Sequence, residues 1–207
     1  MGVARRHSGL QIASIVLIFL PLAALAPTGS SQSNAAITDG HPVGVPVPII
    51  IEFGEQYLGS ELYDAKITVL AVVRGEKAWG IVQQASRSNP PPKSGFDYLL
   101  ARVRVEFSSR TSPALDNYNL NETQFTATTP EGREFDAPIL DAPPKPRLGG
   151  TLRPGDSVEG WLVFLVPQKV SRPLMVFRED VGTVSHRGGG TWFQLYARPI
   201  PDEKPRP

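Results

Sequence analysis

Between Asp97 and Phe107, apolar and polar residues alternate. Leu99, Ala101, Val103, Val105 and Phe107 fall on one side, and Leu100, Arg102, Arg104 and Glu106 on the other. A period of two is the side-chain spacing of a β-strand, so this segment predicts a strand with one buried and one largely wet face. Tyr63 to Arg74 predicts another strand, with Ile67, Val69, Ala71 and Val73 on one face and Thr68, Leu70 and Val72 on the other. Ser157 to Val166 is nearly all apolar. Val158, Gly160, Leu162, Phe164 and Val166 share a face, opposite Trp161, Val163 and Leu165, which predicts a central strand buried on both sides.

Shorter runs add further strands. In Pro46 to Phe53, Pro46 and Pro48 cannot donate ladder hydrogen bonds, so this strand is expected at an edge. Glu122 to Thr128 is expected to pair with Glu134 to Leu140 as a hairpin around Pro130-Glu131-Gly132-Arg133. Pro173 to Phe177 and Thr191 to Ala197 are the last strands. One segment changes period: Ala78, Ile81, Val82 and Ala85 sit at i, i+3, i+4 and i+7, the stripe of a short helix over Glu76 to Ser86. Asn89 followed by Pro90-Pro91-Pro92 stops it. About eight short strands with turn signals between them, and no βαβ alternation, predict an all-β antiparallel sandwich carrying one short helix.

The N-terminus follows a different logic. Arg5, Arg6 and His7 precede a mostly apolar run from Ile12 to Ala26, interrupted by Ser14 and Pro21. A positive flank followed by such a run is an export signal. The run is shorter than the roughly 20 apolar residues that span a bilayer, which favours a cleavable signal over a permanent anchor. Ala24-Leu25-Ala26 and Ser33-Asn34-Ala35 both have the small-x-small form of a cleavage site. The organisation expected is a signal peptide or signal anchor over 1–26, a linker over 27–45, a β-sandwich domain over 46–198 and a disordered, proline-rich tail over 199–207. The expected location is extracytoplasmic, either secreted or held to the membrane by the N-terminal segment.

Composition narrows the chemistry. The chain has 207 residues and no cysteine, which excludes disulfides, thiol catalysis, Cys-ligated metal and a lipid-modified cysteine. The net charge is +1, and gives no electrostatic case for nucleic acid or an anionic membrane surface. Membrane contact is expected only through the N-terminal segment, if it stays uncleaved. Of three histidines, His7 lies in the signal and His41 in the linker, leaving His186 as the domain's one imidazole. A lone histidine without a partner motif reads as a solvated loop residue rather than a general base. No G-x-S-x-G elbow or S-x-x-K set is present, and Ser94-Gly95 and Ser108-Ser109 read as turns. Gly188-Gly189-Gly190 reads as a hairpin connection, because a strand and not a helix follows it.

The carboxylates Glu52, Glu55, Glu61 and Asp64 are loosely spaced. Asp116-Asn117-Tyr118-Asn119 offers oxygen ligands but lacks the pattern that wraps calcium. Asn121-Glu122-Thr123 matches the glycosylation sequon. Trp161 is expected in the core, while Trp79 and Trp192 either cap the sandwich ends or form an exposed contact patch. No catalytic residue, no cofactor and no metal ligand follows from these patterns, and the binding residues are left unassigned.

Several stretches resemble a known family. They are Tyr63-Asp64-Ala65-Lys66-Ile67-Thr68-Val69, Arg74-Gly75-Glu76-Lys77-Ala78-Trp79, and Asn89-Pro90-Pro91-Pro92. Gly95-Phe96-Asp97-Tyr98-Leu99-Leu100-Ala101-Arg102-Val103, Leu152-Arg153-Pro154-Gly155 and Gly160-Trp161-Leu162-Val163-Phe164-Leu165-Val166-Pro167 complete them. Over Val43 to Ala197 the chain resembles the telokin-like extracellular domain of bacterial surface proteins and lipoproteins. The resemblance implies an immunoglobulin-like β-sandwich outside the cell and carries no catalytic residues. The chain departs from the lipoproteins in lacking their cysteine.

The expectation is therefore an exported, non-catalytic binding or structural module at the bacterial cell envelope, not an enzyme. Its partner would be another envelope protein or a cell-wall component, met through the loops at Ser108 to Asn119 and Ala142 to Gly150 or through an exposed edge strand. The alternatives are a secreted hydrolase or enzyme accessory with a cryptic site, and a membrane-tethered subunit of an envelope complex.

Overall fold

The computed structural model describes residues 40–53, 61–110, 117–179 and 190–196. The segment expected to direct export, the expected C-terminal tail, Glu55, Asp116, His186 and Gly188-Gly189 lie outside the described residues. No helix among the described residues is long and apolar enough to cross a membrane.

In chain order the elements are β1 (Val47–Phe53), β2 (Glu61–Arg74), α1 (Glu76–Ala85), β3 (Phe96–Ser109), β4 (Tyr118–Leu120), β5 (Phe125–Thr128), β6 (Gly150–Leu152), β7 (Ser157–Pro167), β8 (Leu174–Phe177) and β9 (Thr191–Gln194). The molecule is an all-β sandwich with one α-helix. A four-stranded antiparallel sheet, β1-β2-β3-β7, faces a three-stranded one, β5-β8-β9, while β4 and β6 form a separate two-stranded ladder.

The main core lies between the two larger sheets. Tyr63, Ile67 and Val69 of β2, Leu99, Val103 and Phe107 of β3, and Leu162 and Phe164 of β7 meet Phe125, Met175, Phe177 and Phe193 from the facing sheet. Aromatic rings organise it: Phe107 stacks between Tyr63, with centroids 5.1 Å apart, and Tyr118 at 5.5 Å. Each such pair adds about 0.5–1.5 kcal/mol beyond simple burial. A second, smaller core lies on the outer face of the four-stranded sheet. There Ala78 and Val82 of α1, both fully buried, cover Tyr98, Leu100 and Leu165. Gly75, at a φ of 70°, makes the sharp turn from β2 into α1.

One register shift makes both cores possible. Val69 pairs with Val103 but Ala71 pairs with Arg102, so Leu70 is an extra residue bulged out of β2. Beyond it the inward residue is Val72, opposite Ala101, and the outward one is Val73, opposite Leu100. Strict alternation places Ile67, Val69, Ala71 and Val73 together; the bulge moves Ala71 and Val73 to the opposite face, where Val73 joins the core beneath α1.

Other expectations change in the same way. β7 is an outer strand of its sheet, not a central one. Its apolar outward residues are covered by α1 and neighbouring loops rather than by a second flanking strand. Glu122–Gln124 is a 3₁₀ turn before β5. Glu134 to Leu140 is not a strand; only Glu134 bridges back, to Thr128. The segment expected as a linker reaches into the domain: the N–H of His41 donates to Trp192 O (2.8 Å), and Gln194 N–H donates to His41 O (2.9 Å). β1 lies at an edge, as its prolines require.

The side of the sandwich next to β7 closes by an unusual approach. The N–H of Trp161 donates to Pro146 O (2.8 Å), and Leu148 N–H donates to Trp161 O (3.3 Å). The chain then turns inward across Gly160 and buries Leu148 to 1 % exposure. A Cβ on Gly160 would lie 2.5 Å from Arg147 C and 2.6 Å from Leu148 Cα, so only glycine fits. Gly160→Ala is therefore expected to lower stability by about 1–3 kcal/mol, seen as a lower urea midpoint. By contrast Gly80→Ala, in α1 where an added Cβ meets nothing within 4 Å, should raise it by up to about 1 kcal/mol.

Candidate functional site

β7 and β5 are outer strands of their respective sheets, and they bound the same open side of the sandwich. What each offers follows from strand parity. Trp161 directs its N–H and C=O outward, to Pro146 and Leu148. The β3–β7 register continues without a shift to Pro167. Main-chain groups alternate in direction along a strand, so Val163 and Leu165 also point outward, while Leu162, Phe164 and Val166 bond to β3. Among the described residues, no bond from outside β7 reaches the main chain of Val163 or Leu165.

A strap crosses this side. It leaves β5 where Phe135 N–H donates to Ala127 O (2.8 Å) and is caught again beyond α1. There the buried Asn89 side chain donates to Val82 O (2.8 Å) and Ala142 O (2.7 Å), and accepts from Ala142 N–H (3.1 Å). Ser86 Oγ donates to Asp141 (3.0 Å). Between these anchors the strap makes no backbone hydrogen bond to β7. Pro138 has no N–H to give. Ile139 is 91 % exposed, far above any other large apolar residue described.

Two adjoining cavities lie along β7, with Phe135 lining both. One, of about 480 Å³, is walled by Phe125, Ala127, Leu140, Trp161, Val163 and Phe164. The other, of about 670 Å³, lies nearer the end of β7 and includes Lys93, Arg133, Lys169 and Asp136. Glu134 also borders it but is paired with Arg178 (2.6 Å). At the opposite end Arg147 forms a two-pronged ion pair with Glu122, whose hydrogen bonds raise the Arg147 pKa. Arg74 fixes the far end by donating to Asp97 (3.0 Å), Val170 O (2.6 Å) and Pro167 O (2.9 Å). The result is a long slot with a main-chain edge for a floor, an apolar middle and a cationic end.

The remaining sequence candidates scatter. Asn119 accepts from Thr151 Oγ1 (3.0 Å) across the β4–β6 ladder, and Tyr118 is core. That ladder joins the two loops proposed for binding, with Tyr118 buried and Asn119 and Gly150 exposed. Asn121 caps the 3₁₀ turn, accepting from Thr123 N–H (3.0 Å). Asp64 pairs with Arg110 (2.6 Å), and Ser108 Oγ donates to Asp64 O (3.3 Å). Gly95, after Ser94, turns at a φ of 80°. Among the described residues no group of three His, Cys, Asp or Glu side chains is placed to hold a metal.

Trp79 stacks on Tyr98 (5.8 Å) outside the four-stranded sheet, whereas Trp192 lies on the face of β9 opposite the buried Phe193, outside the other sheet. The structure does not bring them into one patch. Trp161 sits half-buried on the outer face, with Arg102 over its ring at 5.9 Å, rather than in the main core. Glu159 accepts from Arg104 and pairs with Arg102, and the bond from Arg104 holds its carboxyl below the usual range. Burial pushes the Tyr98 hydroxyl up; it donates to Pro90 O (2.9 Å).

Compared with known proteins, the chain matches one family model, described as "Domain of unknown function (DUF4352)", over residues 60–185. No curated protein and no solved structure matches it.

The open edge sets an exchange pattern. In hydrogen-exchange NMR the Val163 and Leu165 amides should exchange at least tenfold faster than those of Leu162, Phe164 and Val166. Asn89→Ala leaves the Ala142 N–H and C=O unpaired, while Val82 O keeps the Ser86 N–H, and is expected to cost about 1–3 kcal/mol in urea unfolding while speeding exchange along the strap.

Proposed function

The chain belongs to the DUF4352 family, and from that premise we propose that it is an exported, non-catalytic binding module of the bacterial cell envelope that meets its partner along the β7 side of the sandwich. The observation carrying this reading is the slot itself: among the described residues, a strand edge without main-chain partners at Val163 and Leu165 lies beside an apolar cavity. Slot residues from Lys93 to Lys169 all fall within the segment that the family model matches. The resemblance to telokin-like extracellular domains supports the immunoglobulin-like description and a place outside the cytoplasm. The Arg5-Arg6 flank and the apolar run to Ala26 support export.

Mechanistically such a module needs no reacting group. Recognition by a strand edge takes its affinity from main-chain hydrogen bonds and its selectivity from side-chain pockets on either side. The slot offers both on a rigid scaffold, held by Arg74 at one end and by the Gly160 crossing at the other.

Location is tested by fractionating cells that express the full chain and sequencing the N-terminus of the recovered protein. Cleavage near Ala26 or Ala35 with recovery outside the cytoplasm is expected. An intact Met1 or Gly2 end in the membrane fraction would replace secretion by a tethered subunit, and recovery in the cytoplasm would overturn the envelope reading.

A further inference from the structure

We propose that the slot accepts an extended, acidic peptide segment that adds to β7 as a further strand. This deepens the binding-module reading and rests on it. Val163 and Leu165 each present an outward N–H and C=O that no described residue outside β7 engages. Only another extended backbone satisfies such groups in register. The molecule already shows the edge to be competent: Pro146 and Leu148 pair with Trp161, the outward residue just before, and then leave inward across Gly160. A visiting strand takes up the ladder where that segment abandons it.

The chemistry of the visitor follows from the cavities. Side chains of a strand alternate, so every second residue of the peptide faces inward, and the cavity walled by Phe125, Phe164 and Val163 takes an apolar one. Further along, Lys93, Arg133 and Lys169 take part in none of the ion pairs found among the described residues; the acidic groups beside them are Asp136, in the same lining, and Glu131, whose carboxylate feels Arg133, so the cations stay in excess. A cationic surplus there calls for a carboxylate on the peptide. Val163 and Pro167 are four residues apart, roughly 14 Å at strand rise. The apolar and acidic residues of the peptide should therefore stand about four apart. The strap, anchored at Phe135 and Ala142 but unpaired with β7, is the element that moves aside.

The test begins with a random linear-peptide display library panned on the full mature protein. Enrichment of alternating sequences with an apolar residue about four positions from Asp or Glu is expected. The winning peptide, synthesised, is titrated by calorimetry alongside two N-methylated forms. Methylating the nitrogens of one alternate set should weaken binding at least tenfold, and methylating the other set should not, because a strand pairs through one edge only. Val163→Pro removes one outward N–H without touching the β3 ladder, and should also weaken binding at least tenfold. The double variant Lys93→Glu with Lys169→Glu should turn the preference from acidic to basic peptides.

Recovery of no peptide, equal tolerance of both N-methylated forms, or a Val163→Pro protein that binds unchanged would each overturn strand addition. Concentration-dependent dimerisation abolished by Val163→Pro would overturn it in favour of a second copy. Because these are measurements on purified protein, a cytoplasmic location would sink the envelope reading and leave the peptide result standing, and the converse holds as well.

Discussion

A close approach, the Arg147–Leu148 backbone laid across Gly160, decides how this side of the sandwich closes. Because no Cβ intervenes, the chain dips under the edge of β7 and buries Leu148 in the main core. That dip ends the pairing with β7 after a single residue. It also leaves a strap as the main chain that crosses between β5 and β7 on this side, and a cavity survives there. A bulkier residue at this position would push the segment outward, and with it the wall on which the slot depends. The same glycine thus serves stability and the shape of the candidate site.

The bulge at Leu70 plays the matching part on the other face. Without interruption, Ile67, Val69, Ala71 and Val73 would all share one side of the strand. One extra residue lets the first half of β2 feed the core between the sheets and lets Val73, near its end, feed the one beneath α1. The short helix needs that second core, since ten residues of helix have little stability alone.

Legibility in the sequence followed the range of the forces involved. β1, β2, β3, α1 and β8 could be read because alternation, periodicity and proline placement are local signals. The faces of β2 could not, since an uninterrupted period of two conceals a bulge. The position of β7 in its sheet was misread because a strand covered by a helix and loops has the same apolar composition as one between two strands. The pairing of Tyr118–Leu120 with Gly150–Leu152 spans some thirty residues that include β5, and neither short segment carries a pattern of its own. The candidate slot was the least legible feature. Its essential groups are main-chain N–H and C=O, which every residue possesses, and only topology decides which remain unpaired. The exposed edge strand and the two loops were both expected as contact surfaces, and the proposed slot is of the first kind.

His41 carries a different consequence. Through His41 the chain bonds to Trp192 and Gln194 of β9. In the three-stranded sheet β9 is one margin and β5 the other. Load entering the described chain at Gly40 is thus delivered to the margin remote from the slot, through the His41 bonds. The domain is hung from one hem, leaving the other hem clear.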